Sequence, residues 1–293
     1  MQKEELHIPV LLSETLQTLR PEEGEKYLDL TAGFGGHAAK FLEATKNYKD
    51  AVLVDRDQFA IDHLDSLQSK GAKLIHDNFY NASLQLIKCG KKFDIVLMDL
   101  GVSSPQLDMA ARGFSFQSEG PLDMRMNRED IKTASKIVNT WREQDLVDLF
   151  VEYGEVDRKE ASNIARTIKF NRPITTTTEL AEIIKNKSRH KFGRTHPATR
   201  YFQALRLAVN DELELLEKTL TFLPELLQPG GRAGIISFHS LEDRIVKNYF
   251  KAASSKGLES EFKIITKKPI DGQNLDNKNP RARSAKLRAA LKT

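Results

Sequence analysis

An α/β fold is predicted by three observations. Apolar strand patterns and helical patterns alternate through the first hundred or so residues. Strand signals then vanish for roughly another hundred while helical periodicity persists. Two final strand patterns follow each other without a helix between them. Strands linked through helices pair in parallel by right-handed crossovers, and directly linked strands pair antiparallel. The expectation is a Rossmann-like sheet of seven strands carrying an inserted all-helical domain.

Tyr27-Leu-Asp-Leu30 is the first strand, followed by the loop Thr31-Ala-Gly-Phe-Gly-Gly-His37 and a helical pattern to Thr45. Ala51–Asp55 is the second strand, and Phe59–Leu67 reads as helix. Lys73–His76 is the third strand and Asn81–Lys88 a helix. Phe93–Met98 is the fourth strand, ending at Asp99. Pro105–Arg128, rich in Gly, Asp and Arg, reads as loop. Ala161, Ile164, Ala165 and Ile168 then fall on one helical face, as do Leu180, Ile183 and Ile184, with Thr176 and Glu179 spaced as a capping box. The sheet pattern resumes with a helix over Asn210–Leu227, a turn at Pro229-Gly-Gly and a strand over Arg232–Phe238. A helix over Leu241–Phe250 and strands over Phe262–Thr266 and Ser284–Ala290 complete it. The predicted domains are 1–105 with 199–293 for the sheet, and 106–198 for a helical substrate-recognition insertion.

With 293 residues, 40% hydrophobic and 29% charged, the chain has the composition of an ordinary globular protein. No apolar run approaches the ~18 residues of a membrane span, and MQKEELHIPVLL does not read as a signal peptide. The expected location is the cytoplasm. The lone Cys89 excludes an internal disulfide and a cysteine-based zinc cluster. It is expected to be half-buried, and no metal is expected. Net charge is only +4, yet Ile183–Asn210 carries seven Lys and Arg residues and no acid. Lys267–Thr293 holds eight basic residues against two acidic. Two basic blocks on a nearly balanced chain point to an anionic partner such as nucleic acid.

Gly33, Gly35 and Gly36 let the backbone turn sharply against a ligand, at a helix start whose N–H groups and dipole face it. Asp55 ends the next strand, placed to accept hydrogen bonds from a ribose diol. Together they suggest an adenosine-bearing cofactor. The loop Gly33-Phe-Gly-Gly-His-Ala38 does not by itself exclude NAD, but the terminal antiparallel pair is not the dehydrogenase pattern. Phe79 and Asp77 stand where an adenine would lie, and S-adenosylmethionine fits better. Asp99-Leu-Gly-Val-Ser-Ser-Pro-Gln106 follows the fourth strand and should face the reactive sulfonium.

The chain resembles the bacterial 16S rRNA (cytosine-N4)-methyltransferase family of MraW type. The resemblance rests on His7-Ile-Pro-Val-Leu-Leu12, Thr31–His37, Val54-Asp-Arg-Asp57, Asp99–Asp108, Arg112-Gly-Phe-Ser-Phe116 and Gly120-Pro-Leu-Asp-Met-Arg-Met126. It continues through His196-Pro-Ala-Thr-Arg200, Ile236-Ser-Phe-His-Ser-Leu-Glu-Asp-Arg244 and Asn279-Pro-Arg-Ala-Arg-Ser284. It implies a seven-stranded methyltransferase with a helical insertion, acting on a cytosine in the decoding centre of small-subunit RNA, with cofactor positions at Gly35, Gly36, His37, Asp55, Phe79, Asp99 and Gln106. The acid or Asn followed by Pro-Pro-aromatic found in many amine methylases is replaced here by Asp99-Leu-Gly-Val. The catalytic assignment therefore stays open among Asp99, Ser103, Ser237 and His239.

The expected reaction is in-line transfer to the N4 amine of a base flipped out of its stack. Arg194, His196, Arg200, Arg281 and Arg283 are expected to hold RNA phosphates, and the loop Gly113–Met126, with Asp123 and Arg125, to close over the base. The expected partner is 16S rRNA within the small subunit or a late precursor; a homodimer is compatible. An NAD-dependent oxidoreductase and a non-enzymatic RNA-binding assembly factor are the competing readings.

Overall fold

The computed structural model describes residues 9–188, 196–255, 257, 260–273 and 280–293. These residues form two compact units, 1–101 with 213–293 and 102–212.

The first unit is built on a sheet. Parallel strands β1 (Tyr27–Asp29), β2 (Val52–Asp55), β3 (Lys73–His76), β4 (Phe93–Asp99) and β5 (Leu227–Ser237) are joined by β6 (Phe262–Ile264), β7 (Ile270–Asp271) and β8 (Lys286–Lys292). The order is β3-β2-β1-β4-β5-β8-β6, with β7 also on β8, and all the contacts of β8 are antiparallel. The two-residue β7 is an eighth strand, too short to leave a periodicity in the sequence. The expected Pro229-Gly-Gly turn is a bulge inside β5, where the register jumps from Phe93↔Leu227 to Ile95↔Arg232.

Successive residues of each parallel strand face opposite sides. Leu28, Val52, Val54, Val96 and Met98 enter one core with Leu86 and Leu226; Tyr27, Leu53, Ile95 and Leu97 enter another with Phe41, Leu42 and Leu64. Tyr27 stacks on Phe41 at 4.8 Å, which seats helix α2 (Gly36–Thr45) on the sheet. Helix α1 (Leu12–Leu19), absent from the sequence reading, precedes β1. The single helix expected over 59–67 is two short ones, α3 (Gln58–Ile61) and α4 (Asp65–Gln68). Helix α5 (Phe79–Lys88) follows β3.

The second unit has its own core. Helices α6 (Ser104–Asp108), α7 (Ala134–Thr140), α8 (Glu143–Glu152), α9 (Arg158–Phe170), α10 (Thr177–Lys187) and α11 (Thr199–Asn210) enclose Ile137, Phe150, Ile164, Leu180, Tyr201 and Leu205. Thr176 caps α10 through the Glu179 N–H at 3.2 Å, while Glu179 accepts from the Thr175 N–H at 2.9 Å. Sequence reasoning began the second part of the sheet domain at 199. Instead α11 stays with the helices, because Tyr201, Phe202, Ala204 and Leu205 are buried in their core. The helix expected over 210–227 is broken twice: the left-handed Asp211 (φ 50°) ends α11, and a turn at 221–222 separates α12 (Glu212–Leu220) from α13 (Leu223–Leu226). Helix α14 (Ser240–Ala253) follows β5 in the first unit. No helix among the described residues is long and apolar enough to cross a membrane.

Candidate active site

The chain runs outward from β1 to β3 and then jumps back to β4, so the carboxyl ends of β1 and β4 flank the crevice where ligands of open α/β sheets bind. The loop after β1 is stitched across this point residue by residue. The Leu30 N–H donates to Leu97 O of β4 at 2.9 Å, and the Thr31 hydroxyl accepts the Asp99 N–H at 2.6 Å. The Ala32 N–H donates to Val54 O of β2 at 2.8 Å, and the Gly33 N–H to Asp55 Oδ2 at 2.7 Å. Gly35 then takes φ +78° as the residue before α2; a Cβ there would lie 2.8 Å from Leu64 Cδ2. Glycine is required on both counts.

Asp55 is held from both sides, because its Oδ1 also accepts the Asp57 N–H at 2.8 Å. Burial pushes its carboxyl up to about 6. His37, on the first turn of α2, is 5% exposed, and burial lowers its imidazole to about 4, so the ring is neutral at pH 7. Its Nε2 lies 3.7 Å from Asp99 Oδ2. Asp99 Oδ1 is buried without a hydrogen-bond partner, although the carboxylate as a whole keeps 27% exposure. Dense surroundings first, and the negative charges of Asp29 and Glu242 second, raise its carboxyl well above the usual range.

Asp29 is the residue that sequence reasoning missed. It is 1% exposed, accepting the Tyr27 hydroxyl at 2.8 Å and the Thr31 N–H at 3.1 Å. Burial pushes its carboxyl up to about 7. The available signal was an acid at the end of an otherwise apolar strand. Glu242 was passed over as well; it is 2% exposed and accepts the Phe238 N–H at 2.8 Å.

Phe79 begins α5 half-buried against the sheet core. Asp77, expected near an adenine amino edge, turns its Oδ1 to the Asn78 N–H and Asn81 Nδ2 and braces the start of α5. The expected hydroxyl of Ser237 is directed to β8, donating to Lys286 O at 3.4 Å. His239 is the cap of α14: its Nδ1 accepts the Glu242 N–H at 3.4 Å, and its Nε2 lies 3.0 Å from Glu242 Oε1. Its ring is thus committed to the helix start through Nδ1, while Nε2 is buried without a hydrogen-bond partner.

In the second unit, Gln106 is 6% exposed and its Oε1 accepts the Ser103 N–H at 2.9 Å, closing the first turn of α6. His196 packs on Phe116 at 4.8 Å and accepts the Ala198 N–H at 3.1 Å, so its ring serves the entry to α11. Arg200 is exposed, with a 3.3 Å bond to Glu155 O. Asp123 and Arg125 pair through two bonds of 2.6 and 2.9 Å, and Arg125 also donates to Arg128 O and Asp130 O. Gly113 at φ +73° would place a Cβ 2.1 Å from Pro121 O. These contacts make Gly113–Met126 a braced connector. In the first unit Arg283 is exposed in a 3₁₀ turn over Pro280–Ser284. Arg194 lies outside the described residues, and the side chain of Arg281 is likewise not described. Cys89 is exposed, contrary to the half-buried thiol expected, because it ends α5 at the surface. Among the described residues no group of three or more His, Cys, Asp and Glu side chains converges as metal ligands.

The chain is 47% identical to "Ribosomal RNA small subunit methyltransferase H" of Trichodesmium erythraeum, over 98% of this chain and 99% of that protein. It is 44% identical to the protein of the same name from Halothermothrix orenii, over 97% of each. A solved rRNA methylase from Streptococcus thermophilus shows 12% identity and a TM-score of 0.44, covering 97% of this chain and 98% of that one, a likeness too weak to bear on function. The model of the MraW methylase family matches residues 4–293, and with that match over nearly the whole length, the chain belongs to the MraW methylase family.

Proposed function

We propose that this protein transfers a methyl group from S-adenosylmethionine to the exocyclic N4 amine of a cytosine in the decoding centre of small-subunit ribosomal RNA. Its two relatives above are named as small-subunit ribosomal RNA methyltransferases. The observation that carries the cofactor is the acid-rich crevice. Asp29, Asp55 and Asp99 lie there with carboxyls that all hold protons more tightly than usual, the effect first of burial, with the charge of Asp55 adding at Asp29 and that of Asp29 at Asp99. Such a site gains from a cationic ligand and repels the pyrophosphate of a dinucleotide. The residues therefore fit S-adenosylmethionine, which supplies a methyl group on a positively charged sulfur. Asp55 would hold the ribose, Gly35 and Gly36 would let the backbone approach the amino-acid end, and Phe79 would lie against the base.

The N4 lone pair is delocalised into the ring, so the amine is a weak nucleophile and must be oriented. Asp99 is suited to this role: Oδ1 has no internal partner to give up, and the Thr31 hydroxyl fixes its backbone. His37, neutral and buried, limits water on one side of it. The Ser237 hydroxyl is turned to Lys286 O, which favours Asp99 over it as the proton acceptor; Ser103 and His239 are the remaining candidates.

The test is twofold. Calorimetry should show binding of S-adenosylmethionine and S-adenosylhomocysteine but not NAD. Small subunits and naked RNA from cells lacking the enzyme should gain one N4-methylcytosine, seen by nucleoside mass spectrometry. NAD binding, or a methyl group on a ring carbon or a ribose, would overturn the reading. Asp99→Asn should lower single-turnover rate at saturating cofactor by on the order of ten- to a thousandfold. Full activity would remove Asp99 from the chemistry.

A further inference from the structure

The end of the sheet opposite the crevice carries a groove of about 330 Å³ at the starts of the parallel strands and the end of α5. Five lysines line it: Lys26, Lys49, Lys73, Lys91 and Lys92. Asp50 is the acid on its wall, and Val52, Leu86 and Phe93 form an apolar floor. All five lysines are exposed, and none forms an ion pair or a side-chain hydrogen bond with a described residue. Elsewhere in this unit Lys40, Lys46 and Lys218 pair with Glu43, Glu23 and Glu214, while lysines such as Lys70, Lys88 and Lys247 form no ion pair with a described residue but do not line this groove. Burial first, and the charge of Lys92 second, lower the ammonium of Lys292. Like charges gathered round one concavity make it a site of positive potential that attracts an anion.

The lysines follow the sheet order β4-β1-β2-β3, so the row spans three strand spacings, about 14 Å. That is too long for one phosphate and suits a run of phosphates on one strand. A groove also excludes a flat bilayer. We propose that this groove is a second docking site for the phosphate backbone of the RNA substrate, about 20 Å along β4 from the crevice. This rests on the reading above that the substrate is small-subunit ribosomal RNA. The groove would position the RNA by charge, without reading its sequence.

Cys89 lines the groove, is exposed and is the one cysteine of the chain, so a thiol-directed benzophenone reports on that wall alone. The labelled full-length protein is irradiated with small subunits, and with naked small-subunit RNA, from cells lacking the enzyme. In parallel, Lys49→Ala, Lys73→Ala, Lys91→Ala and Lys92→Ala are combined. The expected result is a crosslink to RNA. The fourfold variant should bind the RNA about tenfold more weakly at low salt, and its salt slope should be shallower by about 2–3. Its S-adenosylhomocysteine affinity should be unchanged, which shows the fold intact. A wild type that methylates the RNA without an RNA crosslink, or a fourfold variant with unchanged affinity and slope, overturns the groove alone. A crosslink to a ribosomal protein overturns the phosphate backbone as its occupant. A wild type that neither binds nor methylates either substrate overturns both the functional reading and the groove built on it.

Discussion

Asp29, Asp55 and Asp99 differ in their neighbours but share one consequence of burial: each binds its proton more tightly than a carboxyl in water. A cationic ligand favours the ionised forms, so S-adenosylmethionine should release protons on binding. Its affinity should rise by about tenfold from pH 6 to pH 8, while uncharged-sulfur S-adenosylhomocysteine changes less. Calorimetry in buffers of different ionisation enthalpy measures this directly, and equal profiles for the two ligands would contradict it. Asp29 also sets a stability trend. Its folded carboxyl titrates near 7 and its unfolded one near 3.8, so the folded state holds more protons between these values and stability falls as pH rises through that window. His37 acts in the other direction: its ring titrates at about 4 when folded and 6.5 when unfolded, so its contribution is lost as pH falls through that window. Asp29→Asn cannot ionise. Its stability relative to wild type should therefore improve by about 1–3 kcal/mol between pH 5 and pH 8. Denaturant melts at both pH values test this; parallel curves would show that Asp29 carries no such penalty. Asp55→Ala removes the acceptor of two backbone N–H groups as well as the proposed ribose contact. It should therefore cost about 1–2 kcal/mol of stability besides weakening the cofactor. Loss of affinity with no change in melting temperature would mean that the loop holds its shape without the carboxylate.

At the scale of elements, the glycine loop and α14 show how one motif serves structure and chemistry at once. Ile236–Arg244 is prominent in the sequence, yet His239 and Glu242 close the start of α14. His239→Ala should lose about 1 kcal/mol of stability, while His239→Asn, a good cap, should keep it and retain most of the turnover. Turnover abolished in a stable His239→Asn protein would return this imidazole to the mechanism. Most of the parallel strands and long helices were legible because each spends its length on one periodicity. The short α3 and α4, the two-residue β7 and the bulge in β5 were not. They follow from packing and register, such as Leu64 meeting Gly35, and leave no repeat to count.

For the whole molecule, the second unit holds its own apolar core, from Phe114 to Val209. A fragment of residues 102–212 should therefore fold alone and melt cooperatively in circular dichroism; a non-cooperative loss of helix would show that its core is insufficient. Arg200→Ala and Arg283→Ala, both exposed, should each reduce the salt slope of RNA binding by at most about one unit. An unchanged slope would make them a solvated surface. By itself the sequence determined the α/β class, the helical insertion, the glycine loop and Asp55, because these depend on local periodicity and on residue types that few other roles require. Tertiary structure alone decided the rest. It drew α11 into the helical unit through Tyr201 and Phe202, and turned Ser237 to β8 and His196 onto Phe116. It brought Asp29 near enough to Asp99 for its charge to raise the Asp99 carboxyl, and aligned the lysines of four strand starts along one edge. Each depends on which strands become neighbours, and strand order is settled by long-range burial that no local pattern records.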